Sequence, residues 1–230
     1  MRLDDLLEKM KSDWDERARE NPRYYIADCR RDWSEADFLR SGDQTLTELI
    51  LTDMLNICQG RHPRDLRVLE IGCGAGRVTR PLARLFGEVH AVDVSGEMVA
   101  LARNAVAGLP NARIYRNSGA DLDVLGPAAD FDFAFSTCVF HHIPSKAVIE
   151  TYIREVARRL RPGCLFKFEV QGYLAMHNPD GDTWLGAPLS EPEMHAIAGR
   201  TGFEARYSVG AGEERYWHWF FKRLSGVDHI

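Results

Sequence analysis

Residues 68–79 read VLEIGCGAGRVT, an apolar run into Glu70 followed by glycines at alternate positions, Gly72, Gly74 and Gly76. Glycine has no Cβ and takes positive φ cheaply, so this stretch can turn sharply from a strand into a helix and bring bare backbone against a ligand. Glu70 narrows what that ligand is. A loop that holds a pyrophosphate uses backbone N–H groups and a helix N-terminus, where a carboxylate two residues ahead of the first glycine adds nothing. A carboxylate in that place suits a cationic ligand.

The flanks alternate in the same grammar. Residues 66–71, 89–94, 113–117, 131–136 and 164–170 read as short apolar strands, with helical patterns at 77–86, 97–107 and 146–160 between them. Strands separated by helices imply parallel pairing through right-handed crossovers, the doubly wound open α/β sheet. Ahead of this part, Leu3, Leu6, Leu7, Met10, Trp14 and Ala18 form the apolar stripe of an amphipathic helix that Asn21-Pro22 breaks. A second helical pattern runs from about Glu35 to Asn56, with a break expected at Ser41-Gly42. Near the other end, Ser190 and Glu193 form a capping box for a helix that Thr201-Gly202 ends. Strand-like runs at 203–209 and 216–222 close the chain around Gly210-Ala211-Gly212.

At 230 residues the chain is long enough for one sizeable core and short for two ordinary domains with linkers. Residues 1–60 are therefore expected to be a helical cap or lid belonging to the same domain as a ligand-binding part at 61–230. The net charge of -5 leaves no basic footprint for nucleic acid. The first 20 residues lack an uninterrupted apolar run, and no apolar stretch approaches 18 residues, so a soluble cytoplasmic protein without membrane partners is expected. Cys29, Cys58, Cys73, Cys138 and Cys164 are odd in number and scattered, with no metal-binding spacing, and read as buried reduced thiols.

The segment Glu70-Ile71-Gly72-Cys73-Gly74-Ala75-Gly76 resembles the E/D-x-G-x-G-x-G motif of class I S-adenosylmethionine-dependent methyltransferases, and the resemblance extends from about Leu66 to Gly163. It implies a Rossmann-like sheet of seven strands in the order 3-2-1-4-5-7-6 with strand 7 antiparallel. It also implies S-adenosylmethionine as cofactor, S-adenosylhomocysteine as product and a small molecule or carrier-bound metabolite as methyl acceptor, in a monomer or homodimer. By the same resemblance Glu70, Gly72, Cys73, Gly74 and Gly76 lie near the methionine part of the cofactor. Asp93, ending the second strand, takes the ribose hydroxyls, for which a carboxylate accepting two O–H groups is well suited. Val94 follows it, and Met98 matches a position that packs on adenine. Asp121 and Leu122, after the third strand, match the adenine-recognition loop, and Ser136 ends the fourth strand.

The stretch Thr137-Cys138-Val139-Phe140-His141-His142-Ile143-Pro144 resembles the V-x-H-H loop of small-molecule methyltransferases. The sulfonium is already an activated electrophile, so the protein mainly aligns an in-line displacement. A base is needed only where the nucleophile holds a proton, and His141 and His142 are the candidates. Tyr24 and Tyr25 are candidates for a lid. Trp33, Phe38, Met176, His177, Trp184, His195, Tyr216, Trp217 and Trp219 are candidates for a substrate wall, with core packing the stronger expectation for each.

Two other readings share these features. A nicotinamide-dependent oxidoreductase has strand, glycines and a later acid, but its fingerprint is G-x-G-x-x-G, and position 77 here is Arg. A non-catalytic S-adenosylmethionine-binding regulator would carry the same cofactor motif. The motifs leave the acceptor atom open among O, N and C.

Overall fold

The computed structural model describes residues 1–27, 29–126, 130–176, 178 and 181–224. Its seven strands follow the order β3-β2-β1-β4-β5-β7-β6, as the family resemblance implies. The strands are β1 (Arg67–Ile71), β2 (Glu88–Asp93), β3 (Ala112–Arg116), β4 (Phe131–Phe135), β5 (Leu160–Val170), β6 (Phe203–Val209) and β7 (Tyr216–Lys222). Pairing of β2 with β1 and β3, and of β5 with β4, is parallel. β7 runs antiparallel to both β5 and β6. By internal contacts the chain divides into two compact units, Arg2–Gly119 and Ala120–Ile230.

The first unit carries the N-terminal helices α1 (Leu3–Glu20), α2 (Pro22–Ile26), α3 (Glu35–Leu49) and α4 (Met54–Cys58), then α5 (Thr79–Leu85) and α6 (Gly96–Ala105) among β1 to β3. Asn21 ends α1 and starts α2, its side chain accepting the Tyr24 N–H at 3.1 Å. The break expected at Ser41-Gly42 is absent: α3 runs through both residues and ends at Leu49. The Ser41 hydroxyl folds back onto the Phe38 carbonyl at 2.7 Å, as an in-helix serine can. Gly42 is there for space, because a Cβ on it would stand 2.0 Å from the Arg77 carbonyl oxygen. Beneath the glycine loop lies a small core of Cys73, Ala91, Val99, Ala102, Val106 and Ile114.

The second unit holds β4 to β7 with α7 (Lys146–Arg159) and α8 (Glu191–Thr201). The expected capping box at α8 forms, with Glu193 accepting the Ser190 backbone N–H at 2.9 Å, and Gly202 ends the helix in the left-handed conformation. β5 begins at Leu160, four residues earlier than its apolar run suggests, because Phe131 already pairs with Leu160 and the register then shifts before Phe133. The core is aromatic: Phe166 stacks on Phe168 at 4.3 Å, and Phe168 meets Phe220 edge-on at 5.0 Å.

His218 sits inside that core, packed against Phe168, Tyr216 and Phe220, and burial pushes its pKa down to about 3. The folded chain therefore refuses a proton that the unfolded chain accepts below about pH 6.5, so this residue contributes a loss of stability as pH falls through that range toward 3. His218→Phe removes the titration while keeping an aromatic ring. Urea midpoints at pH 7 and pH 5 should differ less for the variant than for the wild type.

None of the five cysteines is in a disulfide. Cys58 and Cys73 are buried as expected, but Cys29 is exposed and Cys138 and Cys164 are half-buried. Cys29 lies past the end of α2 with φ of 50°, beyond the packed helices, which is why it escapes burial. No helix among the described residues is long and apolar enough to cross a membrane.

Candidate functional site

In the first unit the predicted residues converge where β1 and β2 end. Gly72, Gly74 and Gly76 all take positive φ, at 74°, 50° and 81°. At Gly76 there is also no room, since a Cβ would lie 3.1 Å from Ala102 Cα and Ala105 Cβ on α6. The loop's N–H groups turn toward β2: those of Gly72 and Cys73 donate to the Val92 carbonyl at 2.8 and 3.0 Å, and that of Gly74 donates to Asp93 Oδ2 at 2.8 Å. These donors are committed to the protein's own acceptors, the opposite of a cradle that offers backbone N–H groups to phosphate.

Asp93 accepts a second bond, from the Ser95 N–H at 2.9 Å. Ser95 in turn caps α6 by accepting the Met98 N–H at 3.1 Å, and its hydroxyl donates to Asp15 of α1 at 2.5 Å. Asp15 also accepts the Glu97 N–H at 3.1 Å. A negative charge at a helix N-terminus is favourable, so a carboxylate from α1 supplies what the start of α6 lacks. Asp15 was not singled out by the sequence, and nothing local marks it, because its partners are 80 residues away.

Glu70 is buried and accepts the Thr79 hydroxyl at 2.6 Å, which ties the end of β1 to the first turn of α5. Burial pushes its pKa up to about 7, with Thr79 and Arg77 working against the rise. Burial likewise raises Asp93 to about 6, against the two N–H bonds that favour its charged form. Met98 is fully buried, and Val94 is half-buried with its carbonyl accepting from Arg116 at 3.2 Å. Arg77, where a dinucleotide fingerprint would have glycine, reaches α3 and donates to the Ser41 carbonyl at 3.0 Å and the Thr45 hydroxyl at 2.8 Å.

Of the two lid tyrosines, Tyr24 meets Tyr25 edge-on at 4.9 Å, and the Tyr25 hydroxyl donates to Glu20 at 2.6 Å. The α2 residue over the glycine loop is Ile26, whose Cγ2 would be 2.7 Å from a Cβ on Gly74. Sequence reasoning passed it over because a lone isoleucine at a helix end reads as core.

Asp121, Leu122, Ser136, His141 and His142 lie in the second unit. Asp121 accepts the Asp123 N–H at 3.0 Å, an Asx turn, and Leu122 is fully buried. Ser136 directly follows β4, its N–H donating to the Lys167 carbonyl at 3.0 Å. His141 and His142 close a short 3-10 turn, Phe140–His142, and are both buried. His141 Nε2 lies 2.9 Å from His142 Nε2, and His142 Nδ1 lies 2.6 Å from the Trp184 carbonyl. Burial, with Arg215 nearby, pushes the His141 pKa down to about 4. Glu169 of β5 is buried beside them; it accepts the Cys138 N–H at 2.6 Å and both Arg215 nitrogens at 2.6 and 2.8 Å.

Among the substrate-wall candidates, Trp184 stacks on His142 at 4.6 Å and Trp217 lies parallel to Phe135 at 6.4 Å. Trp33 donates to the Ala27 carbonyl at 2.9 Å and meets Phe38 edge-on, and Tyr216 is core. Trp219 stacks under the Lys167 ammonium at 4.6 Å, and His195 lies exposed beside Glu191. Met176 is half-buried, and His177 lies outside the described residues.

Residues 68–163 match the family described as the methyltransferase domain. The ubiquinone biosynthesis O-methyltransferase of Caulobacter sp. (strain K31) is 30% identical over 157 residues, 66% of this chain and 55% of that protein. The chain spans about half the length of the curated relatives it matches. Among solved structures, magnesium protoporphyrin IX methyltransferase from Synechocystis PCC 6803 superposes with a TM-score of 0.66 at 16% identity, covering 94% of this chain and 99% of that one. A DhpI–SAH complex gives 0.63 at 21% identity, with 95% and 97% covered. At such identities the likeness is one of fold. The match over residues 68–163, the strand order and the glycine loop that donates to Asp93 make residues 68–163 a methyltransferase domain similar to those of the class I S-adenosylmethionine-dependent methyltransferases.

Proposed function

We propose that the protein transfers a methyl group from S-adenosylmethionine to a hydroxyl oxygen of a small molecule, releasing S-adenosylhomocysteine. The observation that carries this reading is the constellation of Glu70, the glycine loop and Asp93: a buried and a half-buried carboxylate, both with raised pKa, beside backbone N–H groups that are already engaged. That arrangement favours a cationic, phosphate-free nucleoside over a dinucleotide. The preference for oxygen over nitrogen or carbon rests on the curated relatives, which are named O-methyltransferases.

In this reading Glu70 faces the ammonium end, Gly72, Cys73, Gly74 and Gly76 border the methionine part, and Asp93 takes the ribose hydroxyls. Val94 and Met98 of the first unit, and Asp121 and Leu122 of the second, are the residues assigned to adenine, with Ser136 assigned to the cofactor after β4. Residues 1–60 are the lid on a methyltransferase part at 61–230, and Tyr24 belongs to that lid together with Ile26. His141 or His142 takes the proton from the acceptor. Incubation with a cofactor carrying an isotope-labelled methyl group and a panel of phenols, amines and carbon nucleophiles tests the reading. Labelled methyl ether from a phenol is the expected product, and transfer to none of the panel would refute it.

The raised carboxylates make a second prediction. An ammonium favours the charged form of Glu70, and hydroxyl donors favour that of Asp93, so binding should expel protons that these acids hold below about pH 7 and about pH 6. Affinity for S-adenosylhomocysteine should rise between pH 6 and pH 8, with proton release seen by calorimetry in buffers of different ionisation heat. An affinity flat across that range, with no proton release, would contradict it.

A further inference from the structure

Hydrogen bonding gives the two adjacent histidines different tasks. The Trp184 carbonyl only accepts, so His142 Nδ1, 2.6 Å away, carries a proton. A neutral His142 then offers a lone pair at Nε2, and the 2.9 Å contact requires His141 to donate from its own Nε2. His141 is left with an unprotonated Nδ1, a buried atom with no hydrogen-bond partner. Leaving a buried acceptor unpaired is costly. Such an atom is expected where a ligand supplies the missing donor.

The surroundings hold this arrangement firmly. Gly186 passes so close that a Cβ there would be 2.1 Å from the His141 carbonyl oxygen, and the Ala187 N–H donates to the Ile143 carbonyl at 2.8 Å. The loop bearing Trp184 is thus strapped to the histidine turn, and the Trp184 ring stacks on His142. On the other side, Glu169 Oε1 lies 3.8 Å from His141 Nδ1, fixed by the Cys138 N–H and by Arg215. The Arg215 guanidinium and the His142 ring also face His141.

Building on the methyltransferase reading above, we propose that His141 Nδ1 is the atom that receives the acceptor's hydroxyl proton, and that His142 with the Trp184 carbonyl are positioning groups that keep this nitrogen bare. In the step, the acceptor oxygen forms its bond to the methyl carbon as the carbon–sulfur bond breaks, with that electron pair staying on sulfur. The O–H proton moves to His141 Nδ1 and later leaves to water. A buried imidazole is a poor base in the resting protein. The reaction offsets this, because the sulfonium loses its charge as the imidazole gains one, and the Glu169 carboxylate then faces an imidazolium N–H.

Long-range proton–nitrogen NMR on imidazole-labelled protein at pH 7, without acceptor, reads the tautomers directly. His141 protonated at Nε2 and His142 at Nδ1 are expected, and a proton on His141 Nδ1 would overturn the proposal. With catechol as probe, His141→Gln should lower kcat by roughly a hundredfold or more at pH 7. The KM for the cofactor should stay unchanged, and the rate should recover as pH rises and catechol ionises by itself. With 4-nitrophenol, which ionises far more readily, the loss should be much smaller. His142→Gln should lower kcat less and shift His141 toward the other tautomer. An equal loss for both phenols at every pH would assign His141 a structural role and end the proposal. Failure of the wild type to bind S-adenosylhomocysteine would refute the methyltransferase reading instead, and the tautomer measurement would still decide this one.

Discussion

Asp93→Ala is expected to weaken S-adenosylhomocysteine binding by a hundredfold or more and to destabilise the fold as well. The first effect follows from the proposed ribose contacts: two hydroxyls donating to one carboxylate are worth about 1.5–3 kcal/mol each. The second follows from the free protein, where Asp93 already accepts the Gly74 and Ser95 N–H groups at 2.8 and 2.9 Å. Alanine leaves both donors without their acceptor and loosens the chain of bonds that runs through Ser95 to Asp15 on α1. Asp93→Asn separates the two effects. It keeps one acceptor oxygen, so one of the Gly74 and Ser95 N–H bonds survives while the other donor meets the amide NH2; less stability should be lost than with alanine, and the charge and one ribose contact are lost. Calorimetric titration and urea denaturation of both variants check this, and an affinity within threefold of wild type for either would remove Asp93 from the cofactor site.

Gly42→Ala should destabilise the protein although it lies within a helix. Inside α3, alanine is favoured over glycine by about 1 kcal/mol of helix propensity. Against this, the added Cβ would stand 2.0 Å from the Arg77 carbonyl oxygen, a backbone atom that cannot rotate away. Overpacking of this kind costs about 1–3 kcal/mol and occasionally more. Separating α3 from the loop also lengthens the Arg77 bonds to Ser41 and Thr45. The clash therefore wins, with a net loss of about 1–2 kcal/mol expected in urea denaturation. A stabilised variant would show that α3 does not press on the glycine loop.

The same glycine illustrates what the sequence can and cannot convey. Ser41-Gly42 reads locally as a helix break, yet its meaning depends on Arg77, 36 residues on, approaching from outside the helix. Strand order came from the family resemblance, whereas the capping box at Ser190 and the turn through Gly72, Gly74 and Gly76 were legible because each depends on short-range spacing or on a backbone conformation that only glycine takes easily. Asp93 was named through the same resemblance, which puts an acid at the end of the second strand. Asp15, Ile26 and the Trp184 carbonyl were not, since their partners come from distant segments and a carbonyl has no residue type. The histidine pair stands between these cases: its presence was plain in the sequence, and the division of labour within it needed the positions of ring nitrogens.

Cofactor identity is the claim on which the rest depends, and protection against unfolding tests it most directly. A ligand that binds only the folded chain raises the melting temperature in proportion to the logarithm of its concentration over Kd. At millimolar ligand and pH 8, S-adenosylhomocysteine should raise the melting temperature by several degrees while NAD leaves it unchanged, and Asp93→Asn should abolish the rise. Protection by NAD without protection by S-adenosylhomocysteine would contradict the account.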